Sequence, residues 1–540
     1  MLRETTLCGK DLRWSNEEHE FVTKATLPRK LSPRNFAIFA GLACFFWAFL
    51  AWLSVIPNQD ILADAVQVQS LFADPRIVLS FPGQKHAGPI EYPFQLLAES
   101  VAPGNFYVHT FPRVIFAFLT GFFTARLFMQ LFPDARKWSF LTAIAIGPAI
   151  IHGLSGPEGN PVGVWWLVGN YDTSWLLVVI GAYLVTKGVT KNSTWLILVA
   201  GLSIGLGFFA HPNVIILIIP LGTLTLLTIK PKVKDLAFLI FGFTVGIIPA
   251  LVSYFFFVGN NTWDPSRIPF FVRDFYLNAL GLNGIPDYIS VVLPYALGLP
   301  TSQTFISATV QSTFTWVVVI AFSLTAIIGW IKALADRVWP QPLIIIATAW
   351  VGAVMAIMLF VTFVDTVWFY ATSLAIMFWI TLGALPTVIK PRVLAIGLTC
   401  ALLTLEGVSM VTHNWAFYRN LGDNIDAKLE YQNQIQETAE ILTDAGARII
   451  YGSYLDVIPI AYGSSNELHP ISVRYNRFPL SSSEASQIYS VAIKAQPSDP
   501  WGEESLVIVQ SACSPAGEIN TAVTKYKLYD CLGSDISGTR

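Results

Sequence analysis

Long apolar runs separated by short polar loops dominate this chain from residue 36 to residue 411. Such runs predict membrane-crossing helices, because an upright span needs ~20 mostly apolar residues. We count about eleven of them, several shorter than this length. They lie at 36–56, 108–131, 138–154, 173–187, 194–209, 213–229, 235–257, 313–332, 342–363, 367–388 and 393–411. The pattern therefore predicts a mainly α-helical polytopic membrane protein.

Residues 412–540 break this pattern and predict a small α/β domain. The stretch "YQNQIQETAEILTDAG" has apolar positions at helical spacing and ends at a glycine, which is typical of a capped helix. "ARIIYGSY", "SLVIVQSAC" and "KYKLYDCLG" each predict a strand. We expect three parts: a tail at 1–35, a membrane domain at 36–411, and this domain at 412–540.

Composition agrees with the membrane class. Charged residues make up 13% of the 540 residues and hydrophobic residues 54%, with a mean hydropathy of +0.56. Soluble domains carry about 25% charged residues, so an ordinary soluble enzyme is excluded. The sequence has no basic tract or zinc-ligand spacing, and we expect no nucleic-acid partner.

Lysine and arginine gather in alternate loops, which predicts the orientation in the plasma membrane. The tail before the first span is basic, so the N-terminus is expected in the cytoplasm. An odd number of spans then places the C-terminal domain and the loops 57–107 and 258–312 outside. Cys513 and Cys531 share that outer domain, where an oxidising environment would allow a disulfide.

Two acids open the first outer loop, in "NQDILADAVQ". Asp60 and Asp64 lie four residues apart, directly after the first span. One interpretation is a capped, water-exposed helix start in which two like charges repel. The other is a general base at the membrane surface that takes a proton from an incoming hydroxyl. The rest of the loop predicts two short helices lying along the membrane.

Three stretches resemble the C-type glycosyltransferases, nearest to the protein O-mannosyltransferases and the lipid A aminoarabinose transferases. The resemblance spans roughly residues 36–257. Its motifs are the first-loop acid followed by "GPIEYP" (Gly88–Pro93), "GNYDTSWLLVVIGAYLV" and "GLGFFAHPNVIILIIP". By this resemblance, Asp60 matches the catalytic first-loop aspartate and Asp172 a second outer acid. His211 stands where some members have lysine, facing the donor phosphate.

The resemblance implies a reaction. The donor would be a polyprenyl-phosphate sugar in the bilayer, and the acceptor a hydroxyl of a glycan, lipid or protein on the outer face. Asp60 would act as general base in an inverting displacement. Some superfamily members need a divalent cation, which Asp60 and Asp172 could hold. Because the sequence shows no further ligands for it, we expect metal-independent action and assign no certain cofactor.

Several further residues are candidates for binding the donor or acceptor. Glu91 and Tyr92 in "IEYP" could position a sugar, although a surface acid is an equal interpretation. His86 could contact phosphate, the alternative being a solvated side chain. Arg267 and Arg273 lie in an aromatic outer loop, and a guanidinium suits a phosphodiester.

Arg113, at the outer end of the second span, is expected to extend to the lipid headgroups. Two other functions remain open. A transporter or lipid flippase also has many spans, although it more often carries acids at mid-membrane and internal repeats. A non-catalytic assembly protein could use the outer domain to bind partners.

Overall fold

The computed structural model describes residues 32–57, 59–73, 88–133, 171–256, 308–360, 419–472, 484–497, 499–521 and 524–536, with shorter pieces at 75, 78–79, within 376–397, and at 478 and 480. It is a mainly helical chain with a small sheet near its C-terminus. The predicted spans at 138–154 and 393–411 and the loop at 258–312 lie largely or wholly outside the described residues.

The helices of the first part follow the apolar runs closely. They are α1 (Pro33–Ser54), α2 (Gln59–Ala73), α3 (Tyr92–Val101), α4 (Phe106–Leu131), α5 (Tyr171–Thr190), α6 (Thr194–Ala210), α7 (Ile215–Ile229), α8 (Val233–Phe256), α9 (Ala308–Ala335) and α10 (Pro342–Phe360). Among the described residues, four helices have the length and apolar composition to cross a membrane, within α1, α4, α5 and α8. The apolar helices make this a multi-pass membrane protein.

Polar caps set where the helices begin. Ser32 caps α1, its hydroxyl accepting from the backbone N–H of Asn35 at 3.2 Å. Asn105 caps α4 by accepting from the N–H groups of Tyr107 and Val108. These side chains satisfy N–H groups that have no partner within the helix. The predicted loop helices α2 and α3 are present between the two spans α1 and α4.

Glycines bring α6 and α8 into close contact. Gly201 and Gly205 on α6 pack against Gly242 and Gly246 on α8, so that each helix presents a small-xxx-small pair. A Cβ added at Gly201 would lie 2.1 Å from the carbonyl oxygen of Leu239. Small residues of this kind let backbones approach where lipid provides no hydrophobic drive between helices.

The C-terminal part contains a five-stranded sheet. Its elements are α11 (Leu421–Asp444), β1 (Ile449–Gly452), α12 (Tyr454–Gly463), β2 (His469–Ser472), β3 (Ile488–Lys494), α13 (Pro500–Ala512), β4 (Ser514–Asn520), β5 (Lys525–Leu532) and α14 (Gly533–Ile536). The strand order is β2-β1-β3-β5-β4. β1 pairs in parallel with β2 and β3, whereas β5 is antiparallel to β3 and β4.

One predicted strand is wrong. "SLVIVQSAC" belongs to helix α13 and not to the sheet. Asp499 caps this helix by accepting from the N–H of Gly502 at 2.7 Å, and Pro500 occupies its first turn. The capping signal thus outweighs the β-branched composition, and Val507 is left exposed.

The other C-terminal predictions agree with the structure. "ARIIYGSY" contains β1 and "KYKLYDCLG" contains β5. Helix α11 ends just before Gly446, which has φ +85°, the left-handed conformation that favours glycine. Cys513 and Cys531 form a disulfide that links the end of α13 to β5.

The C-terminal domain packs directly on the first loop. Leu62 and Val66 of α2 share one hydrophobic core with Ile458 and Ala461 of α12. Two hydrogen bonds show that these helices lie side by side and parallel. The Tyr454 hydroxyl donates to the carbonyl of Gln59 near their N-terminal ends, and Gln69 donates to the carbonyl of Tyr462 towards their C-terminal ends.

A buried lysine adds a second attachment. Lys428 of α11 donates to the carbonyl oxygen of Trp52 at the end of α1, and its ammonium lies 4.2 Å from the ring centre of Tyr107. Burial lowers the pKa of Lys428 to about 7. The domain is therefore anchored both to the loop helix and to the ends of the first two membrane helices.

We predict that Gly201→Ala destabilises the protein by about 1–3 kcal/mol, because the methyl group overpacks the contact between α6 and α8. Gly222→Ala is the matched control, since a Cβ at Gly222 on α7 meets no atom within 4 Å among the described residues. Thermal unfolding in detergent measures both. Equal midpoints for the two variants would contradict the close contact.

Candidate active site

The three stretches that carry the family resemblance meet at one end of the helices. The N–H of Gly88 donates to the carbonyl oxygens of Phe209 (2.9 Å) and Ala210 (3.1 Å), at the end of α6. A Cβ at Gly88 would lie 2.4 Å from the Phe209 ring, so the loop approaches α6 in a way that glycine permits. "GPIEYP" is thereby joined to "GLGFFAHP".

The same loop also contacts the start of α5. The hydroxyl of Thr173 donates to Glu91 Oε1 at 2.5 Å, and Asp172 Oδ1 accepts from the N–H of Thr173 at 2.9 Å. The carboxyl groups of Glu91 and Asp172 lie close enough to interact. "GPIEYP" and "GNYDTSW", which lie far apart in the sequence, thus place two acids together.

Arg113 of α4 lies at the centre of this arrangement. Its Nη2 is 3.0 Å from Glu91 Oε2 and 4.0 Å from Asp64 Oδ2, and its side chain is 2% exposed. The prediction that Arg113 extends to the lipid headgroups is therefore wrong. The two acids draw it into the protein, because a buried guanidinium is stable only with charged partners.

Asp64 completes the set, which we call the acid cluster: Asp64, Glu91, Asp172 and Arg113. Gln95 of α3 bridges two of its members, since Nε2 donates to Asp64 Oδ2 at 2.9 Å and to Glu91 Oε2 at 3.3 Å. Side-chain exposure is at most 1% for the three acids. Among the described residues, no hydrogen bond reaches Asp64 Oδ1 or Asp172 Oδ2.

Burial raises the pKa of Asp64 to about 6, and the negative charge of Glu91 adds to the rise. The neighbouring Tyr92 hydroxyl, the charge of Arg113 and a hydrogen bond from Gln95 oppose it. Asp64 is thus mostly ionised at neutral pH, and its pKa lies in the range useful for proton transfer. Perturbed acids of this kind concentrate at functional sites.

The charge balance of the acid cluster is unfavourable for folding. Three buried carboxyl groups face one guanidinium among the described side chains. Buried ion pairs seldom repay their desolvation, and placing further carboxyl groups beside the pair adds to that cost. Such an arrangement fits a chemical role better than a structural one.

A second buried carboxylate, Glu99 of α3, has a different surrounding. Gln69, the backbone N–H of Gly104 and the Tyr462 hydroxyl all donate to it, at 3.0, 3.1 and 2.9 Å. Nδ1 of His109 lies 2.8 Å from the same carboxylate. Because donors surround its oxygens, Glu99 joins α2, α3, α4 and the C-terminal domain.

The remaining predicted residues are placed as follows. Tyr92 donates its hydroxyl to Gln67 on α2 and also interacts with Asp64. His211 is 4% exposed and lies at the C-cap of α6, beside the Gly88 contact. Asp60 occupies the first turn of α2, but its side chain lies outside the described residues, as do His86, Arg267 and Arg273.

Sequence reasoning missed three members of the site. Gln95 and Thr173 are ordinary polar residues whose partners are remote in sequence, and the partners of Arg113 lie on other elements. The useful signal would have been the polar side chains inside these helices, with Gln95 about one turn from the start of α3 and Arg113 about two turns from the start of α4.

Metal binding is the remaining question about the acids. Among the described side chains, no group of three or more His, Cys, Asp or Glu comes together with the arrangement that holds a metal ion. Metal-independent action stays a prediction, and a divalent cation held by Asp60 and Asp172 stays its alternative.

Comparison with known proteins gives structural neighbours only. No family model and no curated protein matches the chain. Two solved structures of ArnT from Cupriavidus metallidurans are similar to it. The form bound to undecaprenyl phosphate has 11% identity and a TM-score of 0.49, covering 91% of this chain and 97% of that one. The apo form has 11% identity and a TM-score of 0.44, covering 92% and 98%.

We predict that Arg113→Met lowers the free energy of unfolding by about 3–5 kcal/mol, because it leaves buried carboxylates without their cation. Arg126→Met is the control on the same helix. Among the described residues, the partly buried Arg126 contacts Tyr183, with Cζ 5.7 Å from the ring centre and Nη2 3.3 Å from the hydroxyl oxygen. We expect the control to lose about 1 kcal/mol or less. Denaturant titration of detergent-solubilised protein measures both, and similar losses would show that the acid cluster does not depend on Arg113.

Proposed function

We propose that this protein is a membrane glycosyltransferase that moves a sugar from a polyprenyl-phosphate donor to an acceptor hydroxyl on the outer face. The supporting observation is the acid cluster. Segments that resemble three separate motifs of the C-type glycosyltransferases converge there. Gly88 binds the end of α6 through its backbone N–H, and Glu91 accepts a hydrogen bond from Thr173. A convergence of this kind is expected if the three motifs serve one reaction.

In the proposed reaction, Asp60 is the general base. It removes the proton of the acceptor hydroxyl, and the oxygen attacks the anomeric carbon from the face opposite the phosphate. The bond between that carbon and the phosphate oxygen breaks, polyprenyl phosphate leaves, and the configuration is inverted. Asp60 lies in the first turn of α2, one turn before Asp64, so both residues lie near the same end of that helix.

The acids Asp64, Glu91 and Asp172, with Tyr92, bind the sugar in this proposal. Carboxylates accept strong hydrogen bonds from sugar hydroxyls. Arg113 is committed to Glu91 and Asp64, so it holds the acids in place. The negative charge on the leaving phosphate is stabilised in this proposal by His86, His211, Arg267 and Arg273. Such electrostatic stabilisation is usually the largest single contribution to catalysis.

The proposed orientation has the N-terminus in the cytoplasm and the C-terminal domain outside. Basic side chains lie at the ends of the helices away from the acid cluster: Lys187 stands 5.6 Å from the Tyr183 ring and Lys230 4.9 Å from the Trp339 ring. Lysine is usually retained on the cytoplasmic side, which supports an outer position for the acid cluster. The Cys513–Cys531 disulfide fits that side as well.

The proposed division of the chain follows. A cytoplasmic tail covers 1–35, the glycosyltransferase domain covers 36–411 with its catalytic loop at 57–107, and the extracytoplasmic domain covers 412–540. The contact between α2 and α12 ties the last part to the catalytic loop.

A radiolabelled sugar on polyprenyl phosphate tests the proposal. Protein in proteoliposomes is supplied with this donor and with an envelope extract as acceptor source, and label on non-donor products is counted. A transporter or flippase would move the donor across the bilayer without transferring label, and an assembly protein would do neither.

We predict that Asp60→Asn lowers turnover by about 10²–10⁴-fold, because one general base contributes that much, while donor binding is largely kept. Asp423→Asn, an exposed acid in the first turn of α11, is the matched control and should leave turnover unchanged. The label-transfer assay gives the rate, and retention of label on filters gives binding. An Asp60→Asn rate equal to that of wild type excludes Asp60 as the base.

A further inference from the structure

Two cationic side chains meet on one tyrosine ring at the ends of α4 and α5, whereas the acid cluster takes residues from the starts of the same helices. Arg126 of α4 has its Cζ 5.7 Å from the ring centre of Tyr183 on α5, and Lys187 Nζ lies 5.6 Å from the same ring centre. The rings of Phe123 and Tyr183 are 5.6 Å apart, so the two helices lie side by side here. Tyr183 is buried, but Arg126 and Lys187 are partly exposed. We call Arg126 and Lys187 the cation pair.

The depth of Arg126 distinguishes it from the basic residues of the loops. Helix α4 has 26 residues and ends at Leu131. At 1.5 Å per residue it is ~39 Å long, which exceeds the ~30 Å hydrocarbon core of a bilayer, and Arg126 lies ~7.5 Å before its end. The guanidinium is therefore at the depth where lipid headgroups meet the acyl chains. Lys187 lies in the last turn of α5 and comes to the same level.

Neither member of the cation pair has an acidic partner among the described residues. The ion pairs found there lie in the acid cluster, at Glu99 and in the C-terminal domain. Near the cation pair's end of the helices, the Asp235 carboxylate accepts from the backbone N–H of Lys232 at the start of α8. Two cations on one ring repel each other, and a cation near 6 Å from a ring centre is held only weakly. The cation pair therefore lacks negative charge.

The groups around the cation pair suit a phosphate ester that carries hydroxyl groups. Arg126 Nη2 donates to the Tyr183 hydroxyl oxygen at 3.3 Å, and that hydroxyl donates to no acceptor among the described residues. The guanidinium, the ammonium and this phenol can all donate to phosphate oxygens. Gln130 lies one turn beyond Arg126 on α4, and its buried Oε1 has no hydrogen-bond partner among the described residues. That oxygen can accept from a hydroxyl group of the ligand.

We propose that the cation pair, with Tyr183 between its members, binds the phosphate of an anionic phospholipid headgroup of the phosphatidylglycerol type. The lipid lies in the leaflet at the end of the helices away from the acid cluster. A lipid is favoured over a soluble phosphate because the site is at headgroup depth on membrane-crossing helices, where acyl chains add contacts. Basic sites between membrane helices bind anionic headgroups in this way. The site is separate from the proposed glycosyl transfer and does not rest on it.

Native mass spectrometry of the delipidated full chain in detergent tests the site. Dioleoyl phosphatidylglycerol is added at increasing concentrations, and bound lipids per protein are counted. Dioleoyl phosphatidylcholine, which is zwitterionic, is added in a parallel series. We expect the wild type to bind the first phosphatidylglycerol ~10-fold more tightly, because the choline cation would meet two further cations. Arg126→Met and Lys187→Met should each weaken phosphatidylglycerol binding by ~10-fold, because each removes a charge-assisted hydrogen bond.

Two further variants separate the role of charge from packing and from folding. Lys187→Arg keeps the positive charge and should keep the binding of phosphatidylglycerol. Lys234→Met changes an exposed lysine at the start of α8, near the same end of the helices, and should bind as the wild type does. Thermal midpoints measured without lipid show that each variant folds, and we expect them to change little because exposed cation–ring contacts are weak.

Three results would overturn the proposal. The wild type could bind both lipids equally, Arg126→Met and Lys187→Met could keep the wild-type affinity, or Lys187→Arg could lose as much binding as Lys187→Met. The source of the phosphate is tested by adding inorganic phosphate or glycerol 3-phosphate at the concentration of the lipid. Neither should displace phosphatidylglycerol, because neither has acyl chains. Displacement by either one would replace the lipid with a soluble phosphate and so overturn the assignment.

Discussion

A buried guanidinium among carboxyl groups is the constraint on which this end of the molecule depends. Arg113 reaches Glu91 at 3.0 Å and Asp64 at 4.0 Å, so it joins the second membrane helix to both helices of the first loop. Glu91 in turn reaches α5 through Thr173. Removing the cation would leave buried acids that repel one another, whereas removing the acids would leave an uncompensated cation.

A second buried carboxylate shows by contrast what a structural acid looks like here. Glu99 receives donors from α2, from the chain before α4 and from Tyr462 of the C-terminal domain. These contacts hold the C-terminal domain against the C-terminal part of α2. In the acid cluster, oxygens of Asp64 and Asp172 have no hydrogen-bond partner among the described residues. The first arrangement favours folding, and the second favours binding or chemistry.

Local patterns in the sequence were enough to predict most helices and to single out the three acids of the site, but not the contacts that bring them together. The span predicted at 194–209 is helix Thr194–Ala210, because its apolar run is bounded by polar residues on one side and His211–Pro212 on the other. The strand predicted for "SLVIVQSAC" was wrong because Asp499, which caps the helix formed there, lies outside that stretch. The prediction for Arg113 was wrong because its partner Glu91 lies on another element. Tyr462 is separated from Glu99 by 363 residues, so neither contact leaves a local signal in the sequence.

Whether the acid cluster exists for chemistry or for folding is tested most directly by measuring stability and sugar transfer of Asp64→Asn and wild type on the same preparations between pH 4 and 8. The raised pKa of Asp64, about 6, means that the folded state holds its proton more tightly than the unfolded chain. Wild-type stability should therefore fall as the pH rises from the unfolded value to about 6, by up to about 3 kcal/mol, and then level off. We predict that Asp64→Asn lacks this fall, is at least as stable as wild type at pH 7, and transfers far less sugar. A variant that loses stability and keeps its transfer rate would contradict a catalytic purpose for these acids.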